Sequence, residues 1–188
     1  MGSDTKMGKH QKLSIFISLV LRHKPEVVGL KLDDQGYLHV NELLKGVNNS
    51  GRHIDIDMLN EIVDTDDKGR YSFNADKTKV RANQGHSIPV NLNLVKGKPK
   101  DKLYHGTALE YKDNIDNKGL LKGERQYVHL SDDINTAIKV GSRHGEPIVY
   151  LVDHEKLLLD GYELWVSENN VWLSNDIPAK YLSIVNEK

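Results

Sequence analysis

Two short stretches carry the side chains best able to hold an anion and move a proton. Tyr104-His105-Gly106-Thr107 ends an apolar opening at Leu103 with an imidazole, a glycine and a hydroxyl. Arg125-Gln126-Tyr127-Val128-His129-Leu130-Ser131 adds a guanidinium, a second imidazole and another hydroxyl. Together they supply donors and acceptors for a polar, phosphate-bearing ligand. A strand followed by a glycine turn accounts for the same residues with no ligand at all. Six of the 26 basic residues are arginine (Arg22, Arg52, Arg70, Arg81, Arg125, Arg143) and the rest are lysine. Where arginine is so sparing, each one is a candidate for planar, two-donor recognition; Arg52 reads as ordinary surface usage.

Other chemistries lack their residues. The chain has no cysteine, hence no disulfide, thiol nucleophile or thiolate zinc site. No G-x-G-x-x-G follows a strand and no Walker A sequence occurs. H-E-x-x-H and G-x-S-x-G are absent, and the nine histidines lack metal-ligand spacing, so no metal is expected. A net charge of -1 is unlike the basic surplus usual in nucleic-acid binders, so any basic surface must be local. No apolar run approaches the roughly 20 residues of a membrane span, and Met1–His10 lacks a signal peptide's apolar segment. A cytoplasmic address is expected.

The elements that would position these residues are short. Leu13, Phe16, Ile17, Val20 and Leu21 recur at helical spacing until Pro25, which puts Arg22 and His23 in the last turn, where the helix dipole favours a cation. Leu30 and Leu32 read as a strand, Asp33-Asp34-Gln35-Gly36 as a turn and Tyr37–Val40 as the returning strand. Asn41 is a plausible N-cap for a helix carrying Leu43, Leu44 and Val47, and Asp55 for one carrying Met58, Leu59, Ile62 and Val63. Strands at Arg70–Phe73 and Lys79–Ala82 complete three helices and a hairpin, which suggests a winged-helix module. Asn83-Gln84-Gly85-His86-Ser87 is a polar loop, either a turn or a ligand loop. The charged segment Val95–Lys102, with Gly97 and Pro99, reads as a linker. Beyond it lie a short helix, a helix capped by Asp132, and strands at Val128, Pro147–Val152, Tyr162–Val166, Val171–Leu173 and Ile184–Val185. The expected class is α+β.

Six motifs then occur in order: Leu21-Arg22-His23, the Gly36-Tyr37 turn, Lys68-Gly69-Arg70-Tyr71, Gln84-Gly85-His86-Ser87, His105-Gly106-Thr107, and Arg125 through Ser131. Together they resemble the NAD-dependent RNA 2'-phosphotransferases, the tRNA-splicing enzyme and its bacterial relatives, from about Leu13 to Val185. The resemblance implies a winged-helix RNA-binding lobe over residues 1–94, a linker at 95–102 and an ADP-ribosyltransferase-like lobe at 103–188 that holds NAD. It implies removal of an internal 2'-phosphate from a tRNA-like RNA by a monomeric enzyme. The phosphate first displaces nicotinamide from NAD. A ribose hydroxyl of the resulting ADP-ribosylated RNA then attacks that phosphate, releasing 2'-OH RNA and ADP-ribose 1'',2''-cyclic phosphate. The family's catalytic set maps onto Arg22, His23, Arg70 and Arg125. NAD would be held by His105, Gly106, Thr107, His129, Ser131 and Arg143. The usual glutamate of ADP-ribosyltransferases is not identifiable; Glu163 and Glu168 match by type only, and an anionic phosphate nucleophile needs no base. Two alternatives are a conventional ADP-ribosyltransferase and a non-enzymatic winged-helix regulator.

Overall fold

The computed structural model describes residues 3–185, with side chains from His10 onward. The chain divides between Asn93 and Leu94 into two compact units, each with its own core. Its class is α+β, with helices packed on small antiparallel sheets. Among the described residues no helix is long and apolar enough to cross a membrane.

In the first unit α1 runs from Ser3 to Arg22, so Arg22 is in its last turn and His23 lies just beyond it. The apolar stripe Leu13, Ile17, Val20 and Leu21 is buried, and α1 packs on α3 (Ile56–Asp64) and β3 (Lys79–Ala82). β1 (Tyr37–His39) and β2 (Tyr71–Phe73) flank β3 in one three-stranded sheet. The Leu30–Leu32 segment is not a strand, and β1 takes β3 as its partner instead. The helix α2 (Val40–Asn49) starts from His39, and Asn41 lies inside it, which corrects the expected cap. Asp55 does cap α3, accepting from Met58 N at 2.8 Å.

The second unit has two sheets. One runs β10-β7-β5, with β5 at Leu103–Ala108, β7 at Pro147–Val152 and β10 at Leu182–Ile184. The other runs β4-β8-β9-β6, with β4 at Val95–Lys96, β6 at Val128–Leu130, β8 at Leu164–Val166 and β9 at Trp172–Ser174. Thus the segment read as a linker begins with a strand, Val95 facing Val166 and Lys96 facing Trp165. Three helices complete the unit: α4 (Lys112–Lys118), α5 (Ile134–Gly141) and α6 (His154–Leu159). No sequence signal had singled out α6. Asp133, not Asp132, caps α5, accepting from Asn135 N and Thr136 N. The core gathers Leu103, Leu130, Tyr150, Val152, Leu157, Leu164 and Ile177.

Candidate active-site residues in each unit

In the first unit the end of α1 is held by the loop Asn83–Ser87. The carbonyl of Arg22 has no partner within the helix, and Ser87 N donates to it at 3.0 Å. The same serine meets His23, with Oγ 2.9 Å from Nδ1. Gly85 takes φ +89, and a Cβ there would lie 3.4 Å from Arg22 Nε, so the arginine side chain runs along bare backbone. His86 beside it is 1% exposed. Burial first, then the charges of Arg22, His23 and Arg81, push its pKa down to about 4, which leaves it neutral. Its ring lies against Gly36, where a Cβ would be 3.2 Å from Nε2. Arg81, 4% exposed, donates to Gln35 O at 3.3 Å and sits over the Tyr37 ring.

Arg70 joins this corner through its backbone, its carbonyl accepting from Asn83 N at 2.8 Å. Its guanidinium is paired with Asp66, whose side chain is 4% exposed. The sequence had marked Arg70 and passed over Asp66. Asn83, His86 and Ser87 lay in the Asn83–Ser87 stretch, read as a turn or a ligand loop with no role given to any one of them; the signal was the Gln84-Gly85-His86-Ser87 run itself.

In the second unit the predicted residues gather on β5 and β6. Tyr104 and Ser131 exchange backbone hydrogen bonds of 2.7 and 2.8 Å, which join the two sheets beside His105 and His129. Nδ1 of His105 lies 2.9 Å from the carbonyl of His129. Burial pushes the His105 pKa down, the bond to His129 opposes this, and the charge of Arg125 adds to the lowering. Arg125 Nη1 lies 3.2 Å from Nδ1 of His129. Although Arg125 is an exposed residue, crowding around its guanidinium, and then the charge of Arg143, lower its pKa from the usual value. It stays protonated at any ordinary pH. Neither Arg125 nor Arg143 makes an ion pair among the described residues.

Gly106 and Ser131, expected at the ligand site, also have structural work. A Cβ on Gly106 would lie 1.7 Å from the carbonyl oxygen of Ala137, so α5 occupies the space over this glycine. Gly141 returns the contact: its Cβ would lie 2.7 Å from Thr107 O. Ser131 Oγ donates to Asp133 O at 2.9 Å and accepts from Asp133 N at 3.1 Å, which shapes the entry to α5. Glu163 is paired with Lys96.

The sequence model described as RNA 2'-phosphotransferase, Tpt1 / KptA family, matches residues 8–176. The chain belongs to the RNA 2'-phosphotransferase family. It is therefore a member of a transferase family. It is 48% identical to a probable RNA 2'-phosphotransferase of Flavobacterium johnsoniae over 92% of this chain and 94% of that protein. One from Fusobacterium nucleatum is also 48% identical, over 97% of this chain and 99% of its own length. A more distant RNA 2'-phosphotransferase, named as probable in Escherichia coli, keeps 41% identity over 90% of this chain.

Proposed function

We propose that this protein removes an internal 2'-phosphate from RNA with NAD as co-substrate. The observation that carries the reading is the family match, which runs through every residue assigned a role. The first unit's order, α1-β1-α2-α3-β2-β3 with a β1-β3-β2 sheet, supports a winged-helix lobe for RNA. The second unit is assigned the ADP-ribosyltransferase-like role of holding NAD.

The residues of the second unit suit a dinucleotide. Arg125 and Arg143 are neighbouring guanidinium groups that make no ion pair among the described residues; Arg143 is assigned to NAD and Arg125 to the catalytic set. His105, neutral on its strand, and Thr107 are assigned to hydrogen bonds with sugar hydroxyls. NAD, when bound, supplies the electrophilic ribose carbon that takes the RNA phosphate.

Arg22, His23 and Arg70 are assigned to that phosphate. Charge-assisted hydrogen bonds of this kind contribute about 1.5–3 kcal/mol each. In the first step the phosphate is the nucleophile, so a donor that neutralises it strongly would slow attack. In the second the same phosphate is attacked, and its oxygens must be polarised. Arg22 lies along Gly85 with its backbone held by Ser87, which supports its assignment to the phosphate. His23, oriented at Nδ1 by Ser87, is assigned the exchange of a proton with a phosphoryl oxygen.

The test is incubation with NAD and an oligonucleotide bearing one internal 2'-phosphate, beside a 2'-OH control. Nicotinamide release and loss of the 2'-phosphate are expected only with the phosphorylated strand. Equal nicotinamide release from both strands would identify a conventional ADP-ribosyltransferase or a hydrolase. No release from either would leave a binding module.

A further inference from the structure

Asp66 grips one residue at two places. Oδ2 of its carboxylate accepts from the backbone N of Arg70, and Oδ1 accepts from Nη1 of the same arginine. The first bond closes a turn in which Gly69 N also donates to Asp66 O at 2.9 Å. Asn83 ties the other side of that turn, donating from Nδ2 to Gly69 O at 2.7 Å and from its backbone N to Arg70 O at 2.8 Å. The Asp66 side chain is 4% exposed, against 29% for that of Arg70. A buried carboxylate thus anchors a guanidinium that reaches solvent. Nη1 lies on the Cδ side of the guanidinium, so the pair Nε and Nη2 forms the opposite edge. Among the described residues neither of these two nitrogens has a hydrogen-bond partner in the protein.

We infer that Asp66 is a positioning residue for Arg70, holding Nη1 and so reserving the Nε–Nη2 edge as a two-donor fork for the RNA 2'-phosphate. Such a fork matches two oxygens of one phosphate. An unanchored arginine gives up much rotamer freedom to present it; with Asp66 in place that loss is met in folding. The carboxylate also offsets part of the guanidinium's charge. Arg70 then acts by directed hydrogen bonds more than by net charge, which spares the phosphate as nucleophile and still polarises it when it is attacked. The phosphate as ligand rests on the proposed function; the hold of Asp66 on the guanidinium does not.

Asp66→Asn separates the turn from the positioning. An asparagine has one acceptor oxygen, so it keeps one of the two bonds and sets N–H against N–H at the other. The backbone N is fixed while the guanidinium can swing into water, so the turn bond is kept and the side chain is released. The first measurement is a nitrogen-15 spectrum of the guanidinium groups in the full-length protein without ligand, with the Arg70 signals assigned as those missing from Arg70→Lys. Rotation about Nε–Cζ exchanges Nη1 with Nη2. The unsubstituted protein should show them as two separate signals, and Asp66→Asn should merge them while the backbone amide spectrum elsewhere is unchanged. Merged signals in the unsubstituted protein overturn the inference whether or not the variant folds, and so do separate signals in a folded Asp66→Asn. The second measurement is single turnover of 2'-phosphorylated RNA with NAD. Asp66→Asn should slow the second step by about fivefold or more, with branched RNA building up, and leave the first within about twofold. In an Arg70→Ala background the same substitution should change neither step, because the group it positions is gone. A further loss in that background, or equal slowing of both steps by Asp66→Asn alone, overturns action through Arg70. An unsubstituted protein that leaves the 2'-phosphate in place would overturn the proposed function and the fork's ligand with it, while the spectra still decide the hold on Arg70.

Discussion

His23 is oriented by a serine 64 positions further along the chain. One neutral hydrogen bond contributes about 1 kcal/mol, a factor of roughly five in a rate if it is felt fully in the transition state. Ser87→Ala should therefore lower kcat by about fivefold and leave the melting temperature within a degree or two. His23→Ala should cost about a hundredfold or more, as expected for loss of a proton-transfer group. Equal losses in steady-state assays of the two variants would mean that Ser87 has a larger part than orientation. Arg70 makes a sharper case, because the proposed function assigns it to the phosphate when that group is under attack. In Arg70→Ala the second step should slow more than the first, so a branched RNA builds up on a gel in a single-turnover time course. Arg70→Lys should recover little, since an ammonium lacks the two-donor fork. Loss of substrate RNA slowed with no branched species would refute this order. Asp66, which holds that guanidinium, was not legible in the sequence: nothing in Asp66-Asp67-Lys68-Gly69 distinguishes a turn former from an arginine's partner. The arginines themselves were legible, because they are rare here.

At the scale of elements, helices with a clear apolar stripe were readable and short extended pieces were not. α1 and α3 follow from their spacing of leucine, isoleucine and valine and from Pro25 and Asp55. Leu30–Leu32 alternates like a strand, yet β3 presents its hydrogen-bonding edge to Tyr37–His39, so the alternation merely buries Leu32. Such pairing is a tertiary choice that a local pattern does not contain. The same is true of β4, whose Val95 and Lys96 look like linker until β8 lies beside them. The packing of β5 against α5 yields a prediction at this scale. Gly106→Ala places a carbon 1.7 Å from a backbone carbonyl oxygen, which no side-chain adjustment relieves. Separation of α5 from β5 should cost about 3 kcal/mol or more, as overpacking of a tight contact does. Circular dichroism melts should show the second unit lowered or unfolded; a melting temperature matching the unsubstituted protein would mean that the contact yields. Gly123→Ala, at a glycine with nothing within 4 Å, is the control, with only the mild strain of its φ of +61.

Over the whole molecule, acid has a definite point of attack in the first unit. His86 is buried among Arg22 and His23 from the end of α1 and Arg81 from β3, and it takes a proton in the folded state only near pH 4. In the unfolded chain an imidazole takes one near pH 6.5. Between these values the unfolded state binds more protons, so stability is full above about pH 6.5 and falls as pH drops toward 4, by up to about 3 kcal/mol. Urea titrations at neutral and mildly acidic pH should show the first unit losing this increment, and His86→Gln should lose less between the same two conditions. An equal loss in both would place the acid sensitivity elsewhere. The sequence alone marked His86 as part of an exposed loop. Its burial depends on Gly36, which sits 50 positions earlier and leaves room for the ring, a relation only the folded chain contains.

The two hydrogen bonds between Tyr104 and Ser131 have a consequence for the time domain. They are an isolated bridge between strands that otherwise belong to different sheets, so no strand ladder flanks them on either side. The Tyr104 and Ser131 amides should then exchange with solvent deuterium in step with one another, and sooner than Tyr150 or Leu151 in the middle of the β5–β7–β10 sheet. A ligand that closes the seam should slow both amides together, so the pair would report occupancy without turnover.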